Sequence, residues 1–202
     1  MTATGDEERE RRTVMDPAER DPRVERSRRV IAEATLAELG EVGYGAMTIE
    51  SIARRAKVGK ATIYRHWHGK LDLVESALDL LREEMVVPED GTVRERVRAL
   101  LERLADRLRD STLSTCMPAL VSAAQYDESV RDFHYRFTNA RRRVLIDLLD
   151  EGVATGALPA DLDTELTAVT LVGPIFYHRL MTPTPLPPER VHEVVRLVLG
   201  DP

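Results

Sequence analysis

The chain has 202 residues, with 29 Lys and Arg against 35 Asp and Glu for a net charge of −6, and is 43% hydrophobic but only 4% aromatic. That length suits one or two small domains with a real core, and abundant Leu, Val and Ala without strand-period alternation point to packed helices. The acidic balance excludes a general nucleic-acid coat protein, no apolar run approaches the roughly 20 residues that span a bilayer, and the lone Cys116 excludes an internal disulfide framework.

Residues 1–22 mix Glu, Arg, Asp and Thr without the apolar stretch of a secretory signal. Together with the single thiol, this suits a reducing cytoplasm. The segment buries too little apolar surface to offset its ordering entropy and is expected to be a disordered tail. The alternative, a basic arm reaching into a DNA groove, meets the objection that its acids outnumber its arginines.

A first helix is expected from about Val24 to Glu41, with Ile31, Ala34 and Leu39 on one side and Gly43-Tyr44-Gly45 closing it. The stretch from Thr48 to Leu73, TIESIARRAKVGKATIYRHWHGKLDL, then reads as two short helices joined by a tight turn. Ile49, Ile52 and Ala53 form one apolar face, and Val58, Ile63 and Trp67 form a second. Thr48 stands at an N-cap, and Lys57-Val58-Gly59 supplies the turn, with Gly59 expected in the left-handed region. Lys60, Thr62, Tyr64, Arg65 and His66 stay off the apolar side. This is a helix-turn-helix whose outer face offers cations, hydroxyls and an imidazole, groups that bond phosphates and base edges. Such a pattern also occurs in helical proteins that never touch DNA, so charge matters. From Arg23 to Lys70 there are ten Lys and Arg against five Asp and Glu, near +5 on a chain of −6. A basic N-terminal third on an acidic protein is the footprint of a nucleic-acid module attached to something else.

The run Ile31, Ala34, Gly43-Tyr44, Thr48-Ile49, Ile52-Ala53, Ala56 through Trp67, Lys70 and Leu73 resembles the DNA-binding domain of the tetracycline-repressor-like (TetR-type) transcriptional regulators. The resemblance covers roughly Arg26 to Leu81, and Trp67 stands where that family more often has Phe. It implies that Tyr64 and Lys70 grip phosphates, while Lys60 and Thr62 are better placed to read bases. The candidate DNA-binding set is therefore Thr48, Lys60, Ala61, Thr62, Tyr64, Arg65, His66 and Lys70, with Arg54, Arg55 and Lys57 adding attraction to the backbone. Beyond Leu81 the likeness weakens to length and to the ending GPIFYHRLMTPTPLPPERVHEVVRLVL, similar to the helical regulatory domains of the same family.

Helix four is expected from Gly69 to about Met85, with Leu71, Val74, Leu78 and Leu81 at helical spacing. Thr92 and Glu95 form a capping box before an amphipathic helix bearing Val93, Val97, Leu100, Leu101, Leu104 and Leu108. A sixth helix follows near Ser114 to Ala124, with Pro118 expected in its first turn. A long helix from about Ser129 to Ala154 carries Val130, Phe133, Phe137, Ala140, Val144 and Leu148 as its expected buried stripe. The next, from about Asp163, carries Leu166, Val169, Val172, Phe176 and Leu180, with Pro174 as an expected kink. Four prolines between Pro183 and Pro188 stiffen the connector to a last helix ending near Leu199.

Catalytic signatures are missing: no G-x-S-x-G and no phosphate-binding Gly-rich loop, so the chain reads as a non-enzyme without cofactors. His66 and His68, two apart on one helix, point to different sides and make a poor metal chelate, so no metal site is expected. Cys116, flanked by Thr115 and Met117, lacks the electropositive setting of a redox sensor. With Met117, Phe133, Phe137, Phe176 and Tyr177, it forms instead a candidate set for an apolar cavity, although each member taken singly reads more readily as ordinary core.

The expected fold is all-α, about nine helices. Residues 1–22 form the tail, 23–73 the helix-turn-helix domain, and 74–202 a helical regulatory and dimerisation domain. The function read from it is a ligand-responsive repressor that binds near-palindromic operator DNA as a homodimer through the last two helices, about 163–181 and 188–199. The acidic regulatory domain predicts a small, mostly apolar effector that is neutral or cationic. A DNA-binding regulator without an effector, and a helical adaptor or enzyme with an incidental helix-turn-helix, are the alternatives.

Overall fold

The computed structural model describes residues 22–80 and 88–200. The expected tail and the end of helix four, Leu81 to Met85, lie outside them. Among the described residues the chain is helical, without strands: α1 (Pro22–Ala46), α2 (Ile49–Ala56), α3 (Lys60–Tyr64), α4 (Lys70–Leu80), α5 (Val93–Asp110), α6 (Thr112–Ala123), α7 (Glu128–Ala154), α8 (Thr164–Met181) and α9 (Val191–Leu199), the last entered through a 3-10 turn at Pro188–Arg190.

Local signals account for most helix ends. Thr48 and Ser51 cap α2 reciprocally, and Thr92 and Glu95 do the same for α5. Ser111, Asp127 and Asp163 each accept a bond from a first-turn N–H of α6, α7 and α8. Inside α1 the backbone breaks at Gly43, φ +76 and ψ 164, a conformation open to glycine at little steric cost. The break lets Tyr44 and Met47 turn inward, where both are buried.

Two packed regions share α1. Ile31 and Leu39 of α1, Ile52 of α2, Ile63 of α3, Trp67, and Leu73, Val74 and Leu78 of α4 close the N-terminal core. Along α1, however, the most extensive contact is with α6 of the second region. There Gly40 leaves room for Thr115, whose Oγ1 would stand 2.7 Å from a Cβ at position 40. The second core gathers Val97, Leu101 and Leu108 of α5, Leu120 of α6, Leu145 and Leu149 of α7, Leu171 of α8 and Val195 of α9.

The second region corrects two local expectations. Pro118 lies in mid-helix and α6 continues through it, rather than beginning there. Lacking an N–H, Pro118 leaves the Ser114 carbonyl open, and Arg179 of α8 donates to that oxygen. The proline thus creates an acceptor that joins two helices. On α7 the buried stripe fails at Ala140, which is exposed, and Val144 is only half buried. Leu145, Ile146 and Leu149 take over the packing instead, because the face that turns inward after Phe137 carries Thr138, Arg141 and Arg142 against a hollow. α8 likewise stays helical through Pro174.

Candidate nucleic-acid interface and effector cavity

The turn between α2 and α3 is built differently from the expectation. Lys57, not Gly59, takes the left-handed conformation, φ 56 and ψ 41, and its N–H returns to the Ala53 and Arg54 carbonyls to end α2. Gly59 is extended, φ −72 and ψ 143, as N-cap of α3. The reversal belongs at the residue that terminates α2, and the chain must then straighten before a new helix starts. Formal α3 is short, but Arg65 and Trp67 still donate to the Ala61 and Ile63 carbonyls, so helical bonding reaches the tryptophan.

Lys60, Ala61 and Tyr64 are exposed on the outer side of α3, Tyr64 at 56%. Thr62, Arg65 and His66 line a hollow against the start of α1, beside Ser27 and Arg28. His66 also meets the Trp67 ring edge-on at 5.7 Å between centroids. Thr48 is exposed, with its hydroxyl engaged in the cap of α2.

Three of the basic residues already have partners. Lys60 Nζ lies 2.8 Å from Glu50 Oε1, a bond that raises the lysine pKa and lowers that of the glutamate. Any phosphate or base edge brought to this cation would have to compete with Glu50. Lys70 donates to the Tyr44 carbonyl at 2.7 Å and sits 4.2 Å over the Tyr44 ring, pinning the start of α4 to the end of α1. Arg55, expected to attract the DNA backbone, instead points at α1. Its Nε donates to Glu38 at 2.9 Å and its Nη1 to Glu41 at 2.9 Å, with Nη2 on the other Glu41 oxygen. Glu38 is buried, and the Ser51 hydroxyl, then the Arg55 guanidinium, hold its pKa below 4.5 against the opposing effect of burial.

A cavity of about 290 Å³ opens between α5, α6, α7 and α8. It brings together three of the six apolar candidates, Met117, Phe137 and Phe176, with Leu100, Leu101 and Leu104 of α5, Leu113 of α6, Leu145 of α7, and Val169 and Val172 of α8. The other three lie elsewhere. Cys116 faces α1, where its thiol donates to the Leu36 carbonyl at 3.2 Å and burial pushes its pKa to about 11. Phe133 packs behind Phe137, 5.6 Å between ring centroids. Tyr177 is 61% exposed on the outer side of α8.

Thr138, Asn139, Arg141 and Arg142 complete the cavity wall, and none of the described residues that line it is a carboxylate. Sequence reasoning missed all four. The signal was the polar run Thr138-Asn139 and Arg141-Arg142-Arg143 interrupting an otherwise apolar helical stripe.

The geometry has close relatives among known proteins. Residues 31–77 match the family described as bacterial regulatory proteins, tetR family, and residues 87–198 match the tetracyclin repressor-like C-terminal domain. The uncharacterized HTH-type transcriptional regulator YdeS of Bacillus subtilis (strain 168) is 35% identical over 163 residues, 80% of this chain and 82% of that protein. The DNA-binding transcriptional repressor TetR of Mycobacteroides abscessus is 29% identical over 156 residues, 71% of this chain and 76% of the repressor. Among solved structures, a TetR transcription regulator from Haloarcula marismortui superposes with a TM-score of 0.70 at 25% identity, over 87% of this chain and 99% of its own. FadR from Bacillus subtilis, solved in complex with stearoyl-CoA, gives 0.71 at 20% identity over 86% and 98%, a likeness of fold alone. With both regions matched in chain order, and a relative above one-third identity along four-fifths of its length, this chain belongs to the TetR family of helix-turn-helix transcriptional regulators.

Proposed function

We propose that this regulator is a repressor that grips a near-palindromic operator as a homodimer and leaves it when a small molecule occupies the cavity between α5 and α8. The observation that carries the reading is the position of α6. Its Leu113 and Met117 line the cavity, while Thr115 and Cys116 on the same helix seat α1 at Gly40 and Leu36. A molecule that shifts α6 therefore moves the helix on which the DNA-binding unit is built. α4 leaves that unit directly after the recognition helix and is a second lever. An effector changes DNA affinity only by preferring an arrangement in which the two recognition helices are wrongly spaced.

Lys60 and Tyr64, outward on α3, make the contacts that matter most, with Ala61 close enough to a base edge to sense a thymine methyl. Thr62, Arg65 and His66 approach the phosphates beside the start of α1. Thr48 presents α2 to the backbone, and Lys70 holds α4 against Tyr44. Pairing runs through α8 and α9. α8 turns Leu166, Tyr177, Leu180 and Met181 outward, and α9 exposes Leu197 at 81%. One helix-turn-helix unit reads too few base pairs to find a single site in a genome, and a two-fold pair solves this.

Selection from a randomised duplex library, followed by sedimentation of the complex, tests the proposal. The expected outcome is two half-sites of opposite orientation bound by two chains, with log K falling by about 0.9 per neutralised phosphate as log salt rises. A monomer bound to a single half-site, or a protein whose Met117→Trp variant, with its cavity filled, keeps unchanged operator affinity, would overturn the dimeric, cavity-controlled reading.

A further inference from the structure

The sign of the effector's charge is written in the cavity wall, and here the local chemistry opposes the domain average. We infer that the cavity takes an amphipathic anion: an apolar tail among Leu101, Leu104, Met117 and Phe176, and a carboxylate or similar single anionic head at Arg142. The inference rests on the cavity being the effector site, and it adds the chemical class.

Arg142 stands in an unfinished state. Its Nη2 donates to Asn139 Oδ1 at 3.0 Å, but its Nε is buried and has no hydrogen-bond partner. The carboxylate facing it, Glu165 Oε2, is 3.8 Å away, near enough for attraction and too far for a hydrogen bond. A buried donor left unmade is costly, so a closer acceptor is favoured there. Next to it Arg141 lies flat on the Phe137 ring, its guanidinium carbon 3.3 Å from the centroid, and donates to the Phe137 carbonyl at 3.2 Å. Arg141 is thus held against the Phe137 ring as part of the same wall, and the anionic head is assigned to Arg142. The rest of the lining is apolar except for Thr138 and Asn139. One polar, cationic end and one apolar body is the shape of a site for an amphiphile.

Glu165 lies in the first turn of α8, where the helix dipole favours a carboxylate whether or not an arginine is near. An incoming anion therefore displaces it from Arg142 without stranding a charge. Displacement uncouples α7 from the start of α8, the helix that carries the outward apolar face. Ligand charge is in this way connected to the pairing surface as well as to α6.

Calorimetric titration of the full chain with decanoate, decanol and decylamine tests the inference, because the three share a tail and differ in the head. Decanoate should bind roughly tenfold or more tightly than decanol, and decylamine more weakly than either. Arg142→Gln should abolish the preference for decanoate while leaving decanol affinity in place. Glu165→Gln, which removes the competing carboxylate, should strengthen decanoate binding, a gain that a merely structural role for the pair would not produce. If decanol matches decanoate in the unmodified protein, the anion inference is wrong and the cavity stands. If no probe binds, or if Leu104→Trp leaves decanoate binding unchanged, the cavity is not the site and both readings fall. Decanoate that binds as described but leaves operator affinity unchanged overturns the control of DNA binding and upholds the charge assignment.

Discussion

In the DNA-binding unit the apolar faces of α1 to α4 close on one another and the polar groups left outside are tied by specific bonds: Arg55 to Glu38 and Glu41, Lys70 to Tyr44, Lys60 to Glu50. In the regulatory region α8 and α9 leave apolar side chains on the surface, and the helices around Phe137 and Met117 stand far enough apart to enclose a hollow. The first arrangement fixes a geometry, as a reader of DNA requires. The second leaves binding free energy unspent, available to a second chain and to a small molecule. α1 belongs to both, so the contact between α1 and α6 decides whether the regions act as one body.

The largest effect expected from this contrast comes from the N-terminal core. Ile52 is fully buried in a small unit, and Ile52→Ala should cost about 2–5 kcal/mol. Trp67 is the only tryptophan, so its fluorescence reports this unit alone while circular dichroism reports all the helices. In urea, Ile52→Ala should shift the fluorescence transition well below the loss of helicity and abolish operator binding, whereas Leu149→Ala, in the other core, should chiefly move the dichroism. Coincident transitions in both variants would show one cooperative unit and remove the contrast between regions.

Next in size is the joint. Gly40→Ala places a methyl 2.7 Å from Thr115 Oγ1 and 2.9 Å from its Cβ, closer than real contacts allow. Relief of the clash should cost about 1–3 kcal/mol and tilt α1 on α6. Operator affinity should therefore fall, while ligand binding in the cavity, on the far side of α6, changes little. Equal losses of both would mean that the whole region deforms, and Thr115→Ala in the same chain should then fail to restore DNA binding.

How much of this was readable beforehand follows from the range of the forces involved. The caps at Thr48 and Thr92 and the faces Ile49-Ile52-Ala53 and Ile63-Trp67 depend on residues within one or two turns, and the sequence contains all of them. The outward side of α3 followed from the same periodicity. The partners of Arg55 and Lys70 did not, because Glu38 and Tyr44 come from another helix and only packing angles bring them close. The cavity was half legible for the same reason. Met117, Phe137 and Phe176 could be proposed by type, but whether Leu100 and Leu104 meet a neighbour or a hollow depends on how α5 crosses α7 and α8. Arg141 and Arg142 drew no reading of their own, because averaging charge over an acidic domain conceals a local setting.

A smaller effect tests the clasp between α1 and α2. Glu38 has its pKa held below 4.5 by Ser51 and Arg55. A carboxylate depressed in the folded state contributes stability that is present above its unfolded value and disappears as pH falls through the folded one. The Trp67-reported transition should therefore weaken as pH drops below about 4.5, more than the helicity of the regulatory region does. Glu38→Gln should lower stability at neutral pH and flatten that acid dependence. An unchanged acid slope in the variant would assign the sensitivity to other carboxylates.

The smallest effect separates stability from recognition at one residue. Lys57 holds the left-handed conformation that ends α2, which costs a residue with a Cβ about 1–2 kcal/mol and glycine far less. Replacement by glycine relieves that strain but also loosens the unfolded chain, so Lys57→Gly should raise the stability of the N-terminal unit by less than about 1 kcal/mol. The same change removes an exposed cation next to the recognition helix. If Lys57 lies against a phosphate, operator affinity should fall evenly across sequences and the salt slope should lose about 0.9 of a unit. A variant that is more stable and binds DNA with unchanged salt dependence would show that the lysine serves neither the turn nor the backbone contact, and Tyr64 and Lys60 would then carry the docking of α3 without it. An even fall with a smaller salt slope would instead mean that the chain gives up fold stability at Lys57, in a conformation suited to glycine, to keep a cation beside the recognition helix.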